Sequence, residues 1–149
     1  MKSVFFLAVT LMLFNLCAIQ AQNIMQSQIP SLVINGFQQM FPKAYDIEWE
    51  MDGDKYKVEF ETGILRTEHE GWFDNAGKLA RHEEEISKFD LPQTIQTKIN
   101  SDFGGYRIDD SEKVTEGDKV NYIVELKAFK EKWKVAYDAA GNILSRIAD

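Results

Sequence analysis

A seven-residue pattern occurs twice in this chain, and it restricts the fold more than any other feature. Phe73-Asp74-Asn75-Ala76-Gly77-Lys78-Leu79 returns as Tyr137-Asp138-Ala139-Ala140-Gly141-Asn142-Ile143, 64 residues further on. Each copy is an aromatic, an Asp, two turn residues, a Gly, a polar residue and an aliphatic. Such a break between apolar residues reads as a β-hairpin turn: Asp bonds its own backbone, and Gly takes the left-handed conformation that a β-carbon would strain. A tandem repeat is therefore expected, with each turn closing a pair of strands.

The flanking residues repeat as well. Ile29-Pro30 opens the first copy and Leu91-Pro92 the second, and Pro suits the start of a helix, where its missing N–H costs nothing. Val33, Phe37 and Phe41 follow Ile29 at four-residue spacing; Ile95, Ile99 and Phe103 follow Leu91 in the same way. Each set makes one apolar stripe on a helix. Pro42 and Gly104-Gly105 end these helices. Strict alternation then predicts strands at Tyr45–Met51, around Tyr56–Phe60 and at Leu65–Phe73, with a fourth from Leu79 that fades into His82-Glu83-Glu84-Glu85. The second copy gives a less regular strand from Tyr106 and Ile108, then strands over Val120–Leu126, around Trp133–Tyr137 and from Ile143. The repeat offset drifts from 62 to 66 between helix and second strand and then settles at 64, as small insertions and deletions in turns would produce. The expected fold is α+β: two tandem helix-plus-four-strand antiparallel repeats, residues 29–86 and 91–149, with the helices on one face of a curved sheet. The short join Ser87–Asp90 makes the two one compact unit.

Residues 1–21 read as a signal peptide: a basic start at Lys2, an apolar run from Val4 to Leu16, and Ala18-Ile19-Gln20-Ala21 before a polar stretch. The run is short for a membrane anchor, and Leu16 is large for the residue before a lipidated Cys17. Cleavage after Ala21 would leave residues 22–28 as a loose N-terminus and would remove the only cysteine. The exported chain would then be periplasmic or extracellular, held by core burial without disulfides, and with no stable membrane insertion. Without Lys2 it carries 16 basic and 24 acidic residues, which argues against nucleic acid and anionic membrane surfaces as partners. The charge is uneven: residues 29–86 hold 6 basic and 13 acidic residues, residues 91–149 hold 9 and 10. A basic partner facing the first half would fit that imbalance.

Little in the chain points to catalysis or to a cofactor. His69 and His82 are the two histidines, and neither lies in a zinc-protease helix motif. His82-Glu83-Glu84-Glu85 reads as a solvated charge run, His69 as a partly buried histidine on the face of Gly71 and Phe73. Asp52-Gly53-Asp54 lacks the further oxygen ligands of a calcium loop and reads as a turn. No nucleophile elbow, phosphate loop or dinucleotide fingerprint is present. No metal site and no catalytic residues are expected. Trp49 and Trp133 belong to apolar alternations and should be core. Trp72 has the parity opposite to Phe73, so it should stand on the sheet face away from the helices, with Arg66, Glu68 and Glu70 sharing that parity as a charged surround. A Trp so placed suits a binding anchor, or equally packing against a neighbouring side chain such as Arg66 or Glu70.

Taken together, these features resemble the beta-lactamase-inhibitor-like, PepSY-like family of secreted bacterial proteins. The residues that carry the likeness are Ile29-Pro30, Phe41-Pro42, Ile47-Glu48-Trp49-Glu50, Tyr56–Phe60 and Phe73–Gly77, then Leu91-Pro92, Tyr122–Leu126 and Tyr137–Asn142. They span nearly all of the exported chain and are turn and core positions. The resemblance implies a non-enzymatic binding protein that takes a protein or peptide partner on the open sheet face, as the true inhibitors do. Those inhibitors carry disulfides, which this chain lacks after export. A small-ligand or envelope-stress binding protein using the groove between helix and sheet is the alternative.

Overall fold

The computed structural model describes residues 22–148; the expected export segment, 1–21, lies outside them. Pro30 and Pro92 occupy the cap positions of α1 (Ser31–Met40) and α2 (Gln93–Asp102). The fixed φ of Pro suits the entry to a helix, and its missing N–H leaves no donor unpaired there. The stripes predicted from four-residue spacing face the sheet: Val33, Phe37, Ile95, Ile99 and Phe103 are buried. Phe41, just past the end of α1, is only half-buried.

Each helix is followed by four strands. After α1 come β2 (Tyr45–Asp52), β3 (Lys55–Thr62), β4 (Thr67–Phe73) and β5 (Leu79–Glu85); after α2 come β6 (Arg107–Glu116), β7 (Lys119–Ala128), β8 (Glu131–Asp138) and β9 (Ile143–Ala148). All pair antiparallel in sequence order. β5 pairs β6 from His82↔Thr115 to Glu85↔Glu112 and so joins the halves into one sheet. The tail of β5 is thus a paired strand, where alternation alone suggested a fading one. β6 is a ten-residue strand, and a register shift between Ile108 and Asp110 accounts for the irregular alternation at its start. Residues 22–28, expected to be loose, are tied down: β1 (Gln22–Asn23) pairs with β2, Ile24 N–H donates to Trp49 O at 2.9 Å, and Gln26–Gln28 form a 3-10 turn.

The halves share the sheet and keep separate cores. Ile29, Val33, Phe37, Trp49, Val58, Phe60 and Phe73 form one, and Leu91, Ile95, Ile99, Phe103, Val124, Leu126, Val135 and Tyr137 the other. Trp133, expected in the core, packs on the second cluster's rim. Phe37 is the hub of the first, with ring centroids 5.3 Å from Trp49, 5.1 Å from Phe60 and 6.1 Å from Phe73, all near edge-on.

The two signature turns fold alike. Asp74 Oδ1 accepts from Ala76 and Lys78 N–H at 2.9 Å each; Asp138 Oδ1 accepts from Ala140 at 3.0 Å and Asn142 at 2.8 Å. Gly77 has φ +78° and Gly141 +89°. Each turn also lies against the first turn of its helix. A β-carbon on Gly77 would fall 2.2 Å from Leu32 O, whereas one on Gly141 would fall 3.2 Å from Thr94 O.

The drifting offset has a concrete origin. β6 and β7 hold 10 residues each where β2 and β3 hold 8. Thr62↔Thr67 is closed by residues 63–66, Ala128↔Glu131 by Phe129 and Lys130 alone. The gain sits in paired strands and only the loss sits in a turn.

Candidate functional site

The helices cover one sheet face, and residues of opposite parity build the other. Cross-strand partners share a face, so the register places Glu50, Lys57, Trp72 and Arg81 in one row across β2–β5, and Glu48, Glu59, Glu70 and Glu83 in the next. Glu68 and Glu61 are partners one step further on. Trp72, Glu68 and Glu70 therefore stand on the open face as their parity implied. Arg66 does not belong to that strand. It sits in the turn before β4 with φ +57°, where Gly63 and the exposed Ile64 and Leu65 have already broken the alternation. Its guanidinium binds Glu61 through two hydrogen bonds of 2.8 Å and lies 3.6 Å from Asp46. It borders the acidic rows without flanking Trp72.

Trp72 is half-buried, and its neighbours explain why. Its Nε1–H donates to Asp52 Oδ2 at 2.7 Å. Lys57 Nζ and Arg81 Cζ lie 5.5 and 5.4 Å from its ring centroid, so the indole is clasped between two cations. Lys57 reaches Glu50 at 3.0 Å, Glu59 at 2.8 Å and Glu70 at 3.2 Å. Burial pulls the Lys57 ammonium down, but hydrogen bonds to Glu59, Glu50 and Glu70 outweigh it and raise its pKa. Arg81 binds Glu83 on its own strand and Glu116 on β6. Asp52, Lys57 and Arg81 could not be assigned to Trp72 from sequence, because they meet it only through three strand registers.

Beside this frame the face turns strongly acidic. A groove of about 270 Å³ is lined by Glu68, Glu70, Glu83, Glu85, Asp110 and Glu112, together with His69 and Glu84, which have the opposite parity. Burial raises the Glu70 carboxyl against the opposing Lys57 hydrogen bond, and burial likewise raises Glu112. Glu112 Oε2 is enclosed without a hydrogen-bond partner. Among the described residues, no three His, Cys, Asp or Glu side chains gather closely enough to hold one metal ion. Strand spacing of about 4.8 Å spreads the carboxylates along rows. That arrangement answers several separate cations better than a single one.

The histidines meet on the other face. His69 is buried, as expected, but His82 is not part of a solvated run: its ring packs beside His69, with His69 Nδ1 and His82 Nε2 3.1 Å apart. The hairpin turn at Asp74–Gly77 folds β5 back on β4 and makes them neighbours, a signal that was available once both strands were accepted. Thr62 Oγ1 lies 2.8 Å from His69 Nε2. A hydroxyl–imidazole–imidazole chain has the order of a nucleophilic triad, but its third member is not an anion that could stabilise an imidazolium. The space between helix and sheet, where a small ligand would have to lodge, is occupied by the two cores, with Val33, Val58, Ile95 and Val124 fully enclosed.

Comparison with known proteins follows the same outline. The family model for putative beta-lactamase-inhibitor-like, PepSY-like proteins matches residues 17–79 and 54–145. Solved structures of like shape include a BLIP-like protein from Bacteroides fragilis (TM-score 0.67, 19% identity, covering 80% of this chain and 86% of that one). Another is a DUF2874 family protein from Bacteroides uniformis (0.70, 16%, 80% and 88%). A third, from Bacteroides eggerthii, is described as a putative periplasmic protein (0.73, 14%, 80% and 88%). No curated protein matches. At these identities the likeness shows the fold.

Proposed function

The chain belongs to the putative beta-lactamase-inhibitor-like, PepSY-like family, and from that premise we propose that it is an exported, non-catalytic binding protein. It takes a protein or peptide partner on the open sheet face, an inhibited enzyme being one such partner. Export rests on residues 1–21, and a similar structure described as periplasmic agrees with it. The observation that carries the binding reading is the frame around Trp72. A large aromatic stands on the uncovered face, oriented by Asp52 and clasped by Lys57 and Arg81, beside rows of glutamates. A fixed indole offers contact area at little cost in ordering entropy. The carboxylate rows favour a partner that is basic where it meets the first half.

Capture of envelope proteins on the purified protein tests this, with Trp72→Ala and Glu70→Lys run alongside. A specific partner should bind the wild type, lose about 2 kcal/mol or more with Trp72→Ala, and weaken as salt screens the acidic rows. A partner held equally by wild type and both variants would move the site elsewhere.

A further inference from the structure

On the helix side of β4 and β5, the His69–His82 pair stands apart from everything the open face uses. The two rings are nearly parallel, at 8°, with centroids 5.3 Å apart. Across the 3.1 Å between His69 Nδ1 and His82 Nε2, one nitrogen must donate and the other accept. A neutral pair can do this; two imidazolium ions, with donors on every nitrogen, cannot. Surrounding groups hold the rings in place. Thr62 Oγ1 meets His69 Nε2 at 2.8 Å, Phe60 stacks on His69 at 4.9 Å and 7°, and Phe41 from the end of α1 lies 5.0 Å from His82. The charges facing the pair are few. Glu84 stands opposite His69 across β4–β5, Lys113 stands opposite Glu84 across β5–β6, and Glu83 acts on His82 from the other face of its strand.

We propose that this pair is a proton-operated lock on the first-half core: neutral or singly protonated, it bonds β4 to β5 beneath Phe41 and Phe60; doubly protonated, it comes apart. Burial holds both imidazoles below the ordinary histidine value, further helped at His82 by the charge of His69. A folded pKa below the unfolded one gives a stabilisation that is complete above about pH 6.5 and is lost as pH falls through the folded value. The second half supplies a built-in contrast. Trp133 and Arg146, each 64 residues on, occupy the same two lattice positions, with Arg146 Cζ 5.0 Å from the Trp133 ring centroid. An indole and a guanidinium carry only donors on nitrogen, so that pair cannot form the imidazole–imidazole bond. Because β4 and β5 carry Trp72 and Arg81 on their reverse side, release of the lock would loosen the open-face frame. This last consequence rests on the open-face reading; the lock itself does not.

The test needs no partner, so its failure and that of the binding reading are separable. Imidazole resonances of the purified protein are followed by NMR from pH 8 to 4.5, and urea midpoints are measured over the same range for wild type, His82→Gln and His69→Gln. Both rings should titrate in two split steps below the free-histidine value. The unfolding equilibrium should shift by roughly tenfold per unit of pKa depression, and each Gln variant should flatten that shift. Two independent titrations at the free-histidine value would overturn the lock whatever the variants do. So would a shift that persists unchanged in both variants. If a variant does not fold, the wild-type titration decides.

Discussion

Lys57, Trp72 and Arg81 in the first half occupy the lattice positions of Ile123, Ala136 and Ser145 in the second. One row over, Glu59, Glu70 and Glu83 face Glu125, Lys134 and Ile147 as counterparts; beyond them Glu61 and Glu68 correspond to Lys127 and Lys132. On the helix side the same comparison gives Val58 and Val124, Phe60 and Leu126, Phe73 and Tyr137, all buried. One backbone pattern thus carries like residues at these central positions under the helices and unlike residues where it meets solvent; the helix-side positions of His69 and His82, held by Trp133 and Arg146 in the second half, are exceptions. Packing against a helix restricts volume and polarity at the enclosed central positions. The open side has no such constraint, and there the halves have opposite character: acidic with captive cations in the first, basic and aliphatic in the second.

The largest expected effects probe the packed side, where the halves should behave alike. Phe37→Ala should cost about 3–5 kcal/mol and Ile99→Ala about 2–5 kcal/mol, measured by urea unfolding. Phe37 touches four other aromatic rings, so its loss should be the greater; a larger cost at Ile99 would reverse the expected order of the two cores. Next come the signature glycines. Gly141→Ala should cost roughly 1–2 kcal/mol from its left-handed backbone. Gly77→Ala should cost more, because its β-carbon would meet the Leu32 carbonyl at 2.2 Å. Equal losses would mean that α1 can shift away freely.

A third comparison exchanges identity across the halves. Lys57→Ile places the residue of position 123 among Glu50, Glu59 and Glu70. Removing the shared cation of a partly buried cluster should cost about 1–3 kcal/mol at neutral pH, below the range for a fully buried pair. Glu70 already has a raised folded pKa, so ionising it opposes folding, and without Lys57 it should oppose it more. The deficit should therefore be full at neutral pH and shrink as pH falls through the raised Glu70 value. A deficit that is constant with pH would show that packing of the lysine stem, not its charge, was lost. The smallest expected effect is on stability in Trp72→Ala, within about 1 kcal/mol, since the ring sits on a face with no helix over it. Unfolding by that variant would make Trp72 a structural residue.

The same division explains what could be read in advance. Helix stripes, strand alternation and the two-copy order are patterns of period 3.6, 2 and 64, and they lie in the chain itself, as do the turn glycines. The side of the sheet occupied by Trp72 followed from parity. Its clasp did not, because Asp52, Lys57 and Arg81 lie on three different strands and the register that unites them is set by pairing. Arg66 departs from parity for a related reason: the alternation stops at Thr67, and residues 63–66 form a turn. His82 reads as part of an acidic run because Glu83, Glu84 and Glu85 follow it, while its partner His69 lies 13 residues earlier across a hairpin.

The unequal lengths of the two first hairpins imply a rule for how such a unit can grow. β6 and β7 each exceed β2 and β3 by two residues, and side chains alternate with period two. Growth by two per strand lengthens the arm and returns each following residue to its own side. Growth by one would exchange the sides, sending the buried set into water. For anyone building on this scaffold, the arm is a telescoping one with a fixed step of two residues per strand, and a reach of roughly 6–7 Å gained at each step.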